Sequence, residues 1–285
     1  MSVVLADIGG THARFAVLKA GRLTDVYRYR CADFKSAYIA LRSFLLMQDS
    51  VPENALIAVA GVVDEEKAKW TNLPWTLSSK ELKKQFGFKK VCLVNDLIPQ
   101  GVGISNLDKK DVLALNHVVP KKDAIKVLMS LGTGLGACIV VGENVYPTEY
   151  GQTILSNGQI LERVLSGWGL KSVYAEHTGK FVSARTIETK MKQGNRQALN
   201  AYDQFYKMLT QSMQNIALLT QPLGGLYLTG GMLLYSELKK YKIISNMSQH
   251  PTMKELLKKI PVCLVINKDL AFVGLSKLAK KYGLT

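Results

Sequence analysis

Residues 5–15 read LADIGGTHARF: an apolar run stops on Asp7, bares Gly9 and Gly10, adds Thr11, and resumes through Ala13-Arg14-Phe15. A tight hairpin accounts for glycines after a buried strand, because glycine takes φ > 0 without strain. An anion site accounts for them equally well. Backbone N–H groups without a Cβ can close on a phosphate, and a threonine adds a hydroxyl donor. The remaining strand ends have to decide between the two.

Working outward, short β-branched and aromatic runs predict strands over 3–8, 13–18 and 23–29, with a turn at Lys19-Ala20-Gly21-Arg22. Tyr38, Leu41, Phe44 and Leu45 share a helical stripe within 34–47. A strand over 55–60 ends at Gly61, a short helix covers 79–86, and a strand over 91–94 ends on Asn95-Asp96. A polar stretch near 105–124 follows. The pattern then restarts: strand 125–130, glycine turn Leu131-Gly132-Thr133-Gly134-Leu135-Gly136, strand 137–141, turn 142–144. This echo of the opening predicts two similar α/β halves. Helices dominate 158–220. In the long one over 196–219, Tyr202, Phe205, Tyr206, Leu209, Met213 and Ile216 fall on one core-facing stripe. A strand over 225–229 ends on Gly230-Gly231, and a strand over 262–266 precedes a closing helix over 270–282.

The 285 residues carry 37 Lys+Arg against 22 Asp+Glu, a net charge of +15. The lysines come as dispersed pairs on polar helix faces, without a nucleic-acid-binding signature, so a basic surface that draws small anions is preferred to a nucleic-acid partner. No apolar stretch approaches the ~20 residues of a membrane span, and the N-terminal residues lack the basic lead of a signal peptide; the expected location is the cytoplasm. Cys31, Cys92, Cys138 and Cys263 have no paired spacing, which argues against a zinc site or a disulfide framework. Trp75 and Trp168 read as packing residues, and His117, His177 and His250 as surface or loop residues.

Four buried strands thus end in related chemistry: Asp7-Ile8-Gly9-Gly10-Thr11, Asn95-Asp96, Gly132-Thr133-Gly134 and Thr229-Gly230-Gly231. Ligands of open α/β sheets bind outside the carboxyl ends of the strands. Each turn alone is a weak signal; four together favour a polyphosphate site. No G-x-x-x-x-G-K-[ST] occurs, so the site is not a P-loop.

The first of these segments, with Ala13-Arg14, resembles the first phosphate motif of bacterial glucokinases, ATP-dependent hexose kinases of the actin, hexokinase and heat-shock ATPase superfamily. Thr71-Asn72-Leu73-Pro74-Trp75 resembles a sugar-binding segment of that family, and Leu93-Val94-Asn95-Asp96 its catalytic-aspartate motif. Residues 131–136 resemble the second phosphate motif, Glu162-Arg163-Val164-Leu165-Ser166-Gly167 a segment with a sugar-binding glutamate, and Thr229-Gly230-Gly231 the adenosine motif. The cysteine cluster of the zinc-binding relatives is missing, so the likeness is to the non-zinc group.

The resemblance implies an α/β, two-domain actin-like ATPase (ribonuclease H-like) fold with a ligand cleft between a small domain, 1–105 plus 268–285, and a large domain, 106–267. It implies ATP and Mg²⁺ as cofactors and glucose or a related hexose as substrate. Asp96 becomes the base for the sugar 6-hydroxyl; from the residues alone, a helix N-cap before Leu97-Ile98 explains it equally. Asp7 becomes the Mg²⁺ residue, acting through water. Gly9, Gly10, Thr11, Gly132, Thr133, Gly134, Gly230 and Gly231 become nucleotide contacts. Asn72, Asn95, Asp96, Glu149, Gln152 and Glu162 become sugar contacts, although Glu162 alone reads as a solvated helix residue. A homodimer is compatible with the family; a membrane partner is not expected. The alternatives are a kinase for another hexose or an N-acetylated amino sugar, and a sugar-sensing regulator without turnover. Two departures bear on them. Tyr150-Gly151-Gln152 stands where the family carries glycine, glycine, histidine after the glutamate, and His12 stands where it carries asparagine. Gln152 hydrogen-bonds with a different reach and donor pattern from histidine, and His12 brings a titration near pH ~6.5 beside the phosphate motif.

Overall fold

The apolar run that stops on Asp7 forms strand β1 (Ser2–Ile8), buried throughout after its first residue. The computed structural model describes residues 1–64 and 66–285, which divide into two units, Met1–Leu107 with Lys268–Thr285, and Asp108–Asn267. After β1 the first unit continues with β2 (His12–Lys19), β3 (Arg22–Leu23), β4 (Tyr27–Arg30), α1 (Ala37–Leu45), β5 (Asn54–Val59), β6 (Gly61–Val63), β7 (Lys67–Trp70), β8 (Thr76–Ser78), α2 (Ser79–Phe86), β9 (Lys90–Asn95) and α3 (Leu97–Ile104). The second unit holds β10 (Val112–Ala114), β11 (Lys126–Leu131), β12 (Leu135–Val141), β13 (Asn144–Thr148), α4 (Gly167–Thr178), α5 (Ala184–Lys192), α6 (Arg196–Thr220), β14 (Gly225–Thr229), α7 (Tyr235–Lys240), α8 (Ile243–Met247), α9 (Lys254–Leu257) and β15 (Val262–Val265). Helix α10 (Leu270–Lys281) belongs to the first unit again.

In the first unit the strand order is β3-β2-β1-β5-β9, with β4 also beside β2. β1 runs antiparallel to β2 and parallel to β5, which runs parallel to β9. Central parallel strands covered on both faces are near-continuously apolar, and both faces here are covered. Val4, Ala6, Phe15 and Ile57 pack with Leu41 and Phe44 of α1. Val3, Leu5 and Leu56 pack with Phe272, Leu275 and Leu278 of α10. Helix α3 crosses α10 at a distance only glycine permits: a Cβ on Gly274 would lie 1.8 Å from Pro99 O, and one on Gly103 2.6 Å from Leu270 O. That crossing fixes α3 and so the Asp96 that begins it.

The second unit has the order β13-β12-β11-β14-β15-β10. β11 is antiparallel to β12 and parallel to β14, which is parallel to β15. Its first five strands repeat the pairing of the first unit's main path, so the sequence echo is a repeat of topology. Tyr202, Phe205, Tyr206, Leu209, Met213 and Ile216 of α6 are all buried, in one core with Val127, Met129, Leu226 and Leu228.

The structure corrects several boundaries. The strand expected over 23–29 is two, because Thr24 closes the end of the hairpin on Val17: its N–H donates to Val17 O at 2.9 Å, and its Oγ1 accepts the Val17 N–H at 2.9 Å. Helix α1 begins at Ala37, where Ser36 accepts the Ile39 N–H, while Phe34 packs on Tyr29 with ring centroids 5.3 Å apart. The antiparallel sheet β6-β7-β8 and strand β10 were not anticipated; at three or four residues each they are too short to show a period. Trp75 is buried as expected, but Trp168 is 39% exposed, with the Arg163 guanidinium 4.5 Å over its ring.

Candidate functional site

In the first unit three parallel strands end level, with Ile8, Val59 and Asn95 as register partners. Backbone bonds extend the alignment: Ala60 N–H donates to Ile8 O at 3.1 Å and Asp96 N–H to Val59 O at 3.0 Å. Neighbouring strands lie about 4.8 Å apart, which puts Asp96 about 10 Å along the sheet edge from the end of β1.

The turn after β1 bears on the two readings of residues 5–15. Gly9 and Gly10 are not among the residues with positive φ, so hairpin geometry does not require glycine. Packing does not require it either. A Cβ on Gly9 would meet nothing nearer than His12 O at 3.7 Å, and one on Gly10 nothing nearer than Asn72 Cβ at 3.6 Å. What glycine leaves here is backbone without a Cβ, with the Gly9 N–H itself donating to His12 O at 2.9 Å.

Asp7 is buried and its charge is matched. Arg14 donates to its Oδ2 from Nε at 2.9 Å and also from Nη2. The same guanidinium donates from Nη1 to Lys268 O at 2.8 Å, stands 3.8 Å from Asp269 Oδ1, and lies 5.6 Å from the centre of the Phe272 ring. Arg14 was not foreseen in this role. The signal was an arginine inside an otherwise apolar strand, a placement that demands a carboxylate.

The segment 71–75 is brought to the end of β1 by Trp70, whose Nε1 donates to Ile8 O at 2.9 Å and whose ring meets Trp75 edge-on at 5.8 Å. Exposed Asn72 thereby stands beside Gly10. Asn95 is used twice: Nδ2 donates to Gly61 O at 3.2 Å, and Oδ1 accepts the Leu97 N–H at 3.0 Å. The start of α3 is therefore held by Asn95, and the side chain of Asp96 makes no capping hydrogen bond. His12 faces Arg30 across β2 and β4; partial desolvation, then Arg28, Arg14 and Arg30, hold its pKa below 6.5.

In the second unit β11 and β14 end level, Ser130 opposite Thr229. A Cβ on Gly132 or on Gly231 would meet nothing within 4 Å. Gly230 differs: its φ is +116° and a Cβ would lie 1.9 Å from Leu131 O, so the fold itself requires glycine. Gly134 lies against a side chain: a Cβ there would come 2.4 Å from Glu162 Oε2, whose carboxylate would have to shift. That oxygen accepts the Leu135 N–H at 2.9 Å, a contact the sequence did not suggest. Exposed Glu149 leads into the turn 150–152, whose Gly151 is pressed against Leu135 O. Tyr150 donates from Oη to Ser212 O at 2.9 Å; burial pushes its pKa up to about 12. Gln152 is exposed.

The predicted residues fall into two gatherings. Asp7, Gly9, Gly10, Thr11, Asn72, Asn95 and Asp96 lie at strand ends of the first unit. Gly132, Thr133, Gly134, Glu149, Gln152, Glu162, Gly230 and Gly231 lie at strand ends and adjoining turns of the second. Among the described residues no group of three or more His, Cys, Asp or Glu could hold a metal ion. A cation at Asp7 would therefore depend on a ligand's phosphates and water around one carboxylate. Magnesium binds in just that manner, so the residues present fit it.

The glucokinase family model matches residues 4–282. A glucokinase of Nostoc punctiforme is 27% identical over 340 aligned positions, covering 99% of this chain and all of that protein. A glucokinase-like protein of Xylella fastidiosa is 28% identical, covering 97% of this chain and 94% of its own length. Among solved structures, a glucokinase from an Antarctic psychrotroph superimposes with a TM-score of 0.78 at 25% identity, covering 98% of this chain and 99% of that one. The fold is accordingly the two-domain actin-like ATPase, ribonuclease H-like architecture.

Proposed function

The chain belongs to the glucokinase family, and from that premise we propose that it moves the γ-phosphoryl group of ATP to the 6-hydroxyl of glucose, with Asp96 as the base. ATP-dependent phosphorylation of a hexose is the activity of the family; glucose, magnesium and the residue roles are our reading. The observation that carries it is the set of four glycines, Gly9, Gly10, Gly132 and Gly231, that neither packing nor positive φ explains. Each leaves backbone without a Cβ at the carboxyl end of a sheet strand, where a nucleotide can approach closely. The Gly9 and Gly132 N–H groups themselves donate to His12 O and Gly134 O, so the donors to phosphate in this reading are other N–H groups of the turns.

In this reading Gly9, Gly10 and Thr11, and likewise Gly132, Thr133 and Gly134, hold phosphates, while Gly230 and Gly231 hold the nucleoside. Asn72, Asn95, Glu149, Gln152 and Glu162 meet sugar hydroxyls. The transition state of phosphoryl transfer is loose, so positioning and charge neutralisation do most of the work. Asp96 accepts the proton of the attacking hydroxyl as the new P–O bond forms and the bond to the ADP oxygen breaks. Mg²⁺, held through water by Asp7, would neutralise charge on the phosphates. The Arg14 bonds to Asp7 keep that carboxylate in place. Among the described residues no helix is long and apolar enough to cross a membrane, and we place the protein in the cytoplasm. The homodimer compatible with the family is a question for light scattering.

The test is a coupled ADP-release assay over glucose, mannose, fructose, N-acetylglucosamine and N-acetylmannosamine. Glucose is expected to give the highest kcat/KM. Preference for an N-acetylated sugar would overturn the assignment of glucose while leaving the kinase. Asp96→Asn is expected to lower kcat by ~10²–10⁴-fold with the sugar KM within about threefold, since α3 is held by Asn95. Turnover close to that of the unsubstituted protein removes Asp96 from the role.

A further inference from the structure

We infer that Glu162 is a positioning residue for the glycine turn at 132–134, so that one carboxylate serves both the sugar and the turn that holds phosphate. The inference rests on the reading of that turn given above. The turn is fastened at both ends by a single stretch of chain. At its C-terminal end Glu162 Oε2 accepts the Leu135 N–H at 2.9 Å. At its N-terminal end the Gly167 N–H donates to Gly132 O at 2.8 Å, and inside it Gly132 N–H donates to Gly134 O at 3.0 Å.

The stretch that does the fastening is itself rigid. Leu161, Leu165 and Ser166 are buried, Leu165 N–H donates to Leu161 O at 2.8 Å, and Ser166 caps α4 through the Gly169 N–H at 3.1 Å. The carboxylate also explains Gly134. A side chain there would place its Cβ 3.1 Å from the Glu162 carboxyl carbon and 2.4 Å from Oε2, so this glycine leaves the glutamate room to stand where it does. Gly132, with nothing within 4 Å, remains the open position of the turn.

The same stretch is tied to the turn that carries Glu149 and Gln152. Leu161 N–H donates to Thr153 O at 2.9 Å, and a Cβ on Gly151 would lie 2.2 Å from Leu135 O. Leu135 is thus held through its N–H by Glu162 and pressed at its carbonyl by Gly151. A carboxylate offers about four acceptor positions on two oxygens. With one position of Oε2 taken by the turn, the others, both of those on Oε1 among them, are open to a sugar hydroxyl in this reading. A residue that only met sugar would have no effect on nucleotide binding in the absence of sugar.

The experiment is titration of ADP and of a non-hydrolysable ATP analogue into the sugar-free protein by calorimetry, comparing the unsubstituted chain with Glu162→Ala, Glu162→Asp and Glu162→Gln. Removing a charge-assisted bond to a backbone N–H corresponds to about tenfold or more in affinity. Glu162→Ala and Glu162→Asp are expected to bind nucleotide about tenfold more weakly. Glu162→Gln, which keeps an acceptor oxygen at full reach, should stay within about threefold. Circular dichroism melts monitor folding, and the Gln variant supplies a folded comparison even where the Ala variant is unstable. Nucleotide affinity unchanged in the Ala and Asp variants, with sugar affinity lost, overturns the inference and leaves the kinase reading standing. Absence of nucleotide binding by the unsubstituted chain overturns the reading of the turn, and the inference with it.

Discussion

Replacing Gly132 and Gly230 by alanine, one at a time, separates glycines kept for a ligand from glycines kept for the fold. A Cβ on Gly132 enters open space and the residue is not at positive φ. Alanine at such a position stabilises by about 0.4–1 kcal/mol, because it restricts the unfolded chain more than the folded one. At about 2–4 °C per kcal/mol for a domain of ~150–250 residues, the melting temperature should rise by about 1–4 °C. The same methyl occupies the place where a phosphate oxygen would approach the backbone. Losing one hydrogen bond to a charged group removes about 1.5–3 kcal/mol, so kcat/KM for ATP should fall by about 10- to 100-fold. At Gly230 the φ of +116° and the Leu131 oxygen 1.9 Å from the Cβ position make alanine both strained and overpacked, each of about 1–3 kcal/mol. That variant should melt about 5–20 °C lower. Differential scanning fluorimetry beside ADP release at saturating sugar reads both quantities. A Gly132→Ala variant that melts well below the unsubstituted protein, or that keeps full ATP kinetics, refutes the reasoning for all four open glycines.

His12 has its pKa lowered by partial desolvation and by Arg28, Arg14 and Arg30, so the unfolded chain binds its proton more readily than the folded one. Stability should be unaffected by His12 above its unfolded value near 6.5 and should fall as pH drops below it; a His12→Asn variant should lose that part of the slope in pH-dependent urea melts, and an NMR titration of the imidazole at or above 6.5 contradicts this. Gly274→Ala puts a Cβ 1.8 Å from Pro99 O at the α3–α10 crossing and should destabilise by about 2–3 kcal/mol, visible as a lower urea midpoint. An unchanged midpoint would show that the two helices can part at no cost.

What the sequence made legible was the set of strand ends. Asp7, Asn95-Asp96, Gly132-Thr133-Gly134 and Thr229-Gly230-Gly231 all follow runs long and apolar enough to read as buried strands, and the parallel registers place them where the pattern says they should be. The reason each glycine is there was not legible. Gly132 and Gly230 look alike in the sequence, yet one faces open space and the other lies against Leu131 O. That difference arises from the parallel pairing of β11 and β14, across nearly a hundred residues of chain. The partners of charged groups were hidden for the same reason. Arg14 sits seven residues from Asp7 but also reaches Lys268 and Asp269, and no local period announces such a contact. The strands β6, β7 and β8 were missed because three or four residues cannot display alternation, although they carry Trp70 to the end of β1.

The departure at Tyr150 and Gln152 acquires a physical division of labour. Tyr150 reaches Ser212 on α6, and its ring is packed against the core of the second unit. It therefore acts on the turn as an anchor and has no need of a sugar contact. A glycine at this place supplies no such tether, so a chain with tyrosine gains order in the Glu149–Gln152 turn independently of any ligand. Gly151 meets the same constraint the family pattern would impose, because Leu135 O leaves no room for a Cβ. Only Gln152 then remains to alter recognition. It is exposed, and its amide both donates and accepts with no titration near neutrality. A change of sugar preference, where one exists, should follow Gln152→His with Tyr150 left in place. If Tyr150→Gly shifts the preference and Gln152→His does not, the anchor governs recognition through the order of the turn, and the division proposed between the two residues is wrong.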